Sequence, residues 1–333
     1  MIEQKMKLLS VIVPIYNTDE LLLRRCLNMF VNELPEVELI IVDDGSNEKC
    51  RLLELELLKT IATSSKIFFK KNGGQNSARQ VGIINSVGRY LLFLDSDDYL
   101  DLPSFDKVLD ILRIDSPDVL AYNVQVVDRK GKKLYSYEYF SEDSTKLDGR
   151  TLILQSRTLC GQIIRKTLFD DCSLVQGSTI GEDLASVVPI LAKAESIIAI
   201  SDRLYCYVKH DSSVTNIFSS KNIFDILISF DGLLVRMKDK LSIYAVEVEW
   251  LAIQHILFYG AKRIIDSVGV DEKAKYILYN YMEVKFPQWK KNKYLFTKRY
   301  KFGIVFCLLV YGHWRLYSFL RNAKRNIFLF CKR

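Results

Sequence analysis

The chain has 333 residues, 49% of them hydrophobic, and a formal net charge of +7, which marks ordinary globular material with enough apolar content for one large core plus an appended subdomain, or for two domains. Its seven cysteines are odd in number and form no C-x-x-C pair, which argues against a disulfide framework and leaves no evident zinc site. The N-terminal residues lack the apolar core of a signal peptide and run directly into the first strand, so the chain is expected to stay in the cytoplasm.

The first hundred residues alternate regularly. Apolar runs predict strands over 8–15, 38–42, 66–70 and 90–94, and helical spacing predicts helices over 19–31, 48–60 and 75–87 between them. Strands separated by helices of ten or more residues indicate βαβ units and a parallel sheet. Past residue 98 the pattern is less regular: a helix over 103–112, a strand over 118–127, and a hairpin turning at 130–132 with its second arm over 133–140. Residues 152–169 read either as two short helices or as a helix and a strand around Gly161. A helix follows over 184–194, then a strand over 202–209 and a polar loop from His210 to Thr215. Residues 223–237 and 244–265 have apolar residues at helical spacing, with Trp250, His255 and Tyr259 read as core or groove residues.

Two of the strands end in acid. Leu91-Leu-Phe-Leu94 delivers Asp95, Ser96, Asp97 and Asp98, and Glu38-Leu-Ile-Ile-Val42 delivers Asp43 and Asp44. Like charges this close repel, and a divalent cation bound together with a diphosphate would remove that cost. An Asp-rich turn followed by a helix cap is the competing reading of the first cluster. The second pair favours the ligand site, because strands of an open parallel sheet present their C-terminal ends around one crevice. Tyr16 and Asn17, after the first strand, add an aromatic face to the same rim. No G-x-G-x-x-G follows that strand and no G-x-x-x-x-G-K-[ST] occurs, which argues against NAD enzymes and P-loop NTPases.

Ser10-Val-Ile-Val-Pro-Ile-Tyr-Asn17, Val42-Asp-Asp-Gly-Ser46, Asn72-Gly-Gly-Gln-Asn-Ser-Ala-Arg79, Gly88-Arg-Tyr-Leu-Leu-Phe-Leu-Asp-Ser-Asp-Asp98 and Gly181-Glu-Asp183 stand in the order found in inverting family 2 glycosyltransferases, which the chain resembles over residues 8–216. The resemblance implies a GT-A α/β fold, a nucleotide-sugar donor (UDP-linked in this reading), Mn²⁺ or Mg²⁺, and transfer to a glycan or lipid-linked acceptor. Carried over position by position, it makes Pro14, Tyr16, Asp43, Asp44, Arg79, Asp95 and Ser96 donor contacts, Asp97 the metal ligand and Asp183 the catalytic base, with Glu182 supporting it. His210 is either a further donor or metal contact or a surface-loop histidine. Arg79, read alone, is a solvated surface residue, and Glu182-Asp183, read alone, is a pair of helix-capping acids. A nucleotidyltransferase would need a Gly-rich loop with a basic residue where Tyr16-Asn17-Thr18 stands. A non-catalytic membrane scaffold would be expected to lose Asp97 or Asp183.

Residues 217–333 are expected to form a separate helical, basic region. Its last part, 284–333, holds thirteen of the 47 Lys and Arg residues and none of the 40 acidic ones, so the overall +7 comes from this tail. Thirteen aromatic residues are interleaved with that charge, a composition suited to an anionic membrane surface. The alternative is a tail packed as ordinary helices with a basic outer face. Residues 302–312 are apolar but too short to span a bilayer. Nucleic acid is not expected as a partner, since the tail carries no recognised signature for it.

Overall fold

The computed structural model describes residues 7–143, 146–155, 158–177, 180–210, 224–297 and 303–330. The chain forms two compact units, Met1–Gly177 with Glu182–Ser213, and Ser178–Gly181 with Val214–Arg333. The boundary expected between residues 216 and 217 and the polar loop after His210 lie outside the described residues.

In the first unit, strands β1 (Leu9–Ile15), β2 (Val37–Asp43), β3 (Ser65–Phe69) and β4 (Tyr90–Phe93) alternate with helices α1 (Glu20–Leu27), α2 (Glu48–Leu58) and α3 (Gln75–Asn85). Every residue of β1, β2 and β4 is buried, as continuous Val, Ile and Leu runs require when both faces of a sheet are covered. Side-chain oxygens of Asp19 and Asn47 accept from backbone N–H groups of the first turns of α1 and α2 and so fix where those helices begin. α3 lies tight on β1 because Gly82 faces it: a Cβ there would stand 2.4 Å from Ile12 Cγ2.

After β5 (Tyr99–Leu100) and α4 (Leu102–Ile114) the single strand expected over 118–127 is instead two, β6 (Val119–Ala121) and β7 (Val124–Asp128), which belong to different sheets. Asn123 is the reason. It is wholly buried, its Oδ1 accepts from the N–H groups of Tyr139 and Phe140, and its Nδ2 donates to the carbonyls of Phe140 and Ser201, so side-chain bonds replace the ladder where the chain changes sheet. The hairpin arm β8 (Lys133–Tyr137) pairs antiparallel with β7 and stops three residues short of the expected end. α5 (Gly149–Gln155) and β9 (Gln162–Arg165) realise the helix-and-strand alternative for 152–169, and α6 (Glu182–Leu191), β10 (Ile197–Ala199) and β11 (Tyr205–Lys209) complete the unit.

The larger sheet has the order β10-β6-β9-β4-β1-β2-β3, parallel except for β9, which runs antiparallel to both β4 and β6. The smaller has the order β5-β11-β7-β8. β1, β2 and β4 are adjacent and parallel, so their C-terminal ends share one edge.

The second unit is helical: Asp225–Met237, Leu241–Val268, Glu272–Lys285, Gly303–Val310 and Trp314–Phe330 are its main elements. Leu241–Val268 is long and apolar enough to cross a membrane, yet 56% of its most apolar window is buried inside the protein, which is the environment of a core helix. Trp250 lies in that core, with ring centroids 5.9 Å from Tyr294 and 5.7 Å from Phe306. The basic tail gives part of its aromatic content to the same core, where Trp289, Phe306 and Trp314 are buried, while Phe296, Ile304 and Phe319 remain exposed.

Candidate active site

The end of β2 is a buried polar cluster. Asp43 has no exposure; its Oδ1 accepts from Ser46 N at 2.7 Å and its Oδ2 pairs with Arg51 at 2.8 Å. Asp44 accepts from Gly73 N at 3.0 Å and Gly74 N at 2.7 Å and also from Lys70, so this carboxylate anchors the Asn72-Gly-Gly loop. The approach needs Gly45, whose φ is +83° and whose Cβ would meet Asn72 N at 2.7 Å. Pro14 is buried on β1 opposite Val42, and Tyr16 projects from the strand end with 56% of its surface exposed. The outermost group at this corner is thus an aromatic ring, with Asp43 beneath the surface.

At the end of β4 the three carboxylates take different directions. Asp95 Oδ1 accepts from Gln75 Nε2 and Arg79 Nη2, both at 2.8 Å. Ser96 Oγ meets Thr18 Oγ1 at 2.6 Å. Asp97 Oδ2 is 2.8 Å from His210 Nε2, which β11 delivers just past its last residue. Asp98 turns inward and is 1% exposed, accepting from Tyr205 Oη and Val208 N at 2.7 Å each. Burial, and then the neighbouring Asp95, pushes the Asp97 carboxyl above its ordinary proton affinity against the pull of His210. Burial and its two neighbours do the same more strongly to Asp98.

Arg79 is not a surface residue. It is completely buried in the first turns of α3, and its guanidinium bridges Asp95 and, at 2.7 Å, Asp183 Oδ1, with Asn76 Oδ1 at 3.0 Å and Cys160 Sγ at 3.5 Å as further partners. A planar fork with five donors suits such a bridge better than a lysine would. Asp183 stands in the first turn of α6, with Glu182 before it. Burial raises the proton affinity of Asp183 although Arg79 opposes it. Glu182 is pushed up to about 7 by burial and then by Asp183. Asp95, Asp97, Asp183, Arg79 and His210 therefore converge, while Asp43 and Asp44 form a separate cluster at the end of β2, with β1 between the two strands.

Among the described residues no three or more His, Cys, Asp or Glu side chains form a ready-made metal cage. The donor set at Asp97 fits a hard cation of the kind that takes one or two protein ligands and completes its shell with substrate phosphates and water. Asp97 has 36% of its side chain exposed, enough for a ligand to reach, and a cation there would offset the repulsion between Asp97 and Asp95. Sequence reasoning did not find Gln75, Cys160 or Tyr205. Tyr205 had a readable signal, since the alternation of Tyr205, Tyr207 and Lys209 puts it on one face of β11; nothing local marks the other two.

Residues 10–172 match the model of glycosyl transferase family 2. This domain belongs to that family. Among curated proteins, the minor teichoic acid biosynthesis protein GgaB of Bacillus subtilis is 27% identical over 61% of this chain and 23% of its own length. The poly(ribitol-phosphate) beta-N-acetylglucosaminyltransferase TarS of Staphylococcus aureus is 24% identical over 60% of this chain and 35% of its own. The chain thus spans well under half the length of both. The crystal structure of TarS 1–349 in complex with UDP superposes with a TM-score of 0.69 at 18% identity, covering 96% of this chain and 91% of that one. The complex with UDP-GlcNAc gives a TM-score of 0.68 at 20% identity over 83% and 81%. At such identities the likeness establishes the fold, the GT-A α/β fold with a helical C-terminal region.

Proposed function

We propose that the protein is an inverting glycosyltransferase that moves a hexosyl or N-acetylhexosaminyl group from a UDP-linked donor to a hydroxyl of a glycan or lipid-linked glycan in surface polysaccharide synthesis. The observation that carries this reading is the Arg79 bridge, which sets Asp183 within one guanidinium of the β4 carboxylates. Tyr16 supplies a face for the nucleotide base above Asp43. Asp97 and His210 would hold Mn²⁺ or Mg²⁺, which supplies charge neutralisation for the leaving diphosphate.

The transfer is one in-line displacement. The acceptor oxygen bonds to the anomeric carbon, the bond from that carbon to the diphosphate oxygen breaks with its electron pair, and the acceptor proton passes to Asp183. Arg79 keeps the Asp183 carboxylate ionised and aimed, and burial makes it a stronger base than an exposed aspartate. Glu182 supports it or binds acceptor. The reading also places the protein in the cytoplasm at the inner face of the membrane, held there by the tail, a role supported by the exposed Phe296, Ile304 and Phe319 among its basic residues.

Calorimetry with UDP and Mn²⁺ tests the reading. The intact protein is expected to bind UDP more tightly with the metal, and Asp97→Ala to lose that increment. Undiminished metal-dependent affinity in the variant would remove Asp97 from the site.

A further inference from the structure

Asn76 is the second residue of α3 and is 1% exposed, yet both ends of its amide are engaged. Its Oδ1 accepts from Arg79 Nη1 at 3.0 Å, and its Nδ2 donates to Val175 O at 2.9 Å and to Ser186 Oγ at 3.3 Å. Turning the amide over would set N–H against N–H at Arg79 and oxygen against carbonyl oxygen at Val175, so the partners fix which end faces the guanidinium. A buried amide is tolerated when its groups are paired, and here the pairing ties α3 to α6 and to the segment at Val175.

Each hydrogen on the two terminal nitrogens of Arg79 has its own acceptor. Nη1 donates to Asn76 Oδ1 and, at 2.7 Å, to Asp183 Oδ1; Nη2 donates to Asp95 Oδ1 at 2.8 Å and to Cys160 Sγ at 3.5 Å. The guanidinium is planar, so occupying the Nη1 hydrogen that Asp183 does not use fixes the rotation of the fork between the two carboxylates. The acceptor at this position is required to be neutral, because a third carboxylate would compete with Asp183 for the same nitrogen. An apolar side chain would leave that hydrogen without a partner and the plane free to turn.

The other end of the amide reaches the helix that carries the base. Ser186 Oγ accepts from Val175 N at 2.8 Å and donates to Glu182 O at 2.7 Å, one turn back along α6, so the chain of bonds from Asn76 ends on the residue before Asp183. We infer that Asn76 is a positioning residue for the transfer: with one end it holds the counter-ion of Asp183, and with the other it holds the first turn of α6. The inference rests on the transferase reading above for Asp183 as the base. Asn76 acts through Arg79 and Ser186, so its loss should be felt in the alignment of the base and not in the hold on the nucleotide.

Turnover of the full chain with Mn²⁺, with UDP-N-acetylglucosamine, UDP-glucose or UDP-galactose as donor and water as acceptor, tests the inference without an identified glycan. Per site titrated with UDP, Asn76→Leu is expected to lower kcat about 10–100-fold, the scale of a misplaced catalytic group, while donor KM and UDP affinity move by less than about threefold. A residue that only supported the fold would lower Tm and leave kcat per folded site unchanged. Should Asn76→Leu not fold, Ser186→Ala, which breaks the link to α6, carries the comparison, with the same split between kcat and KM expected. Crystals of the variant give a readout that needs no turnover: the contact of Arg79 with Asp183 is expected to be lost. The inference is overturned if the folded variant keeps the kcat of the intact protein, or if its crystals show Arg79 still bridging Asp95 and Asp183. UDP titration of the intact protein separates the two readings: absence of UDP binding removes the transferase, whereas kcat and the crystals decide the role of Asn76.

Discussion

The Tyr205 hydroxyl donates to Asp98 Oδ2 at 2.7 Å and accepts from the Asp95 N–H at 3.2 Å, so one buried phenol ties β11 to the loop that ends β4. The second oxygen of Asp98 accepts from Val208 N, two residues before His210. The last carboxylate of the cluster therefore sets the register of the strand that brings His210 to Asp97, and it does so from beneath the surface.

Tyr205→Phe should destabilise the protein by about 1–3 kcal/mol, because it removes a buried donor from Asp98 and strands an acceptor that cannot be hydrated. Chemical denaturation with an unchanged slope measures it. Asp98→Asn, which keeps an oxygen for Val208 N, should cost less than Asp98→Ala. Equal losses in the two Asp98 variants would mean that the hydrogen bonds do not hold the loop.

If Asp183 is the base, Asp183→Asn should leave UDP-sugar affinity near that of the intact protein while transfer falls by about 10²–10⁴-fold. The check is paired: donor titration calorimetry and single-turnover transfer on one preparation. Near-normal turnover in the folded variant would return Glu182 and Asp183 to helix capping.

β1, β2 and β4 were legible because a buried parallel strand is a local pattern, an apolar run with a polar residue where it meets solvent, and the carboxylates at two of those ends fell in the same runs. Direction was not legible. Asp95, Asp97 and Asp98 are alike as letters, yet one faces Arg79, one His210 and one the interior, and residues 79, 205 and 210 decide which. The break at Asn123 was hidden for the same reason: Tyr122-Asn123 does not interrupt a β pattern, and the bonds that end β6 come from residues 138–140 and 201. Arg79 read alone as a surface residue, and as a donor contact only through the family motif, because its charge was visible and the partners that permit its burial were not.

Glu54 gives a pH dependence with a defined sign. It is wholly buried on α2, and burial followed by the charge of Asp43 raises it from 4.5 to about 7. The folded state thus holds this proton more tightly than the unfolded chain does. Its stabilising contribution is complete below the unfolded value and is lost as pH rises through about 7. Glu54→Gln should flatten the fall in Tm between about pH 5 and pH 8. A wild-type and variant pair with parallel Tm profiles would show that Glu54 is ionised throughout.

The tail prediction follows from what its residues do inside the second unit. Trp289, Phe306 and Trp314 are core residues, so truncation before them would unfold the region and test nothing. Neutralising charge on the outer face is the cleaner probe, because reversal at Lys293 would set a carboxylate beside Glu247, which is wholly buried 3.8 Å from the Lys293 Nζ. Lys290 and Lys293 have 63% and 59% of their side chains exposed, and they lie with Lys291 near the exposed Phe296. Juxtamembrane basic residues contribute about 1 kcal/mol each at an anionic surface, so replacing all three by Gln should weaken binding to phosphatidylserine vesicles by about 100-fold at low salt. The same binding should decline with added salt, since screening shortens the reach of these charges. Co-sedimentation of the full chain measures both effects. A wild-type protein that stays in the supernatant at low salt would leave the basic face as a solvated surface with no membrane role.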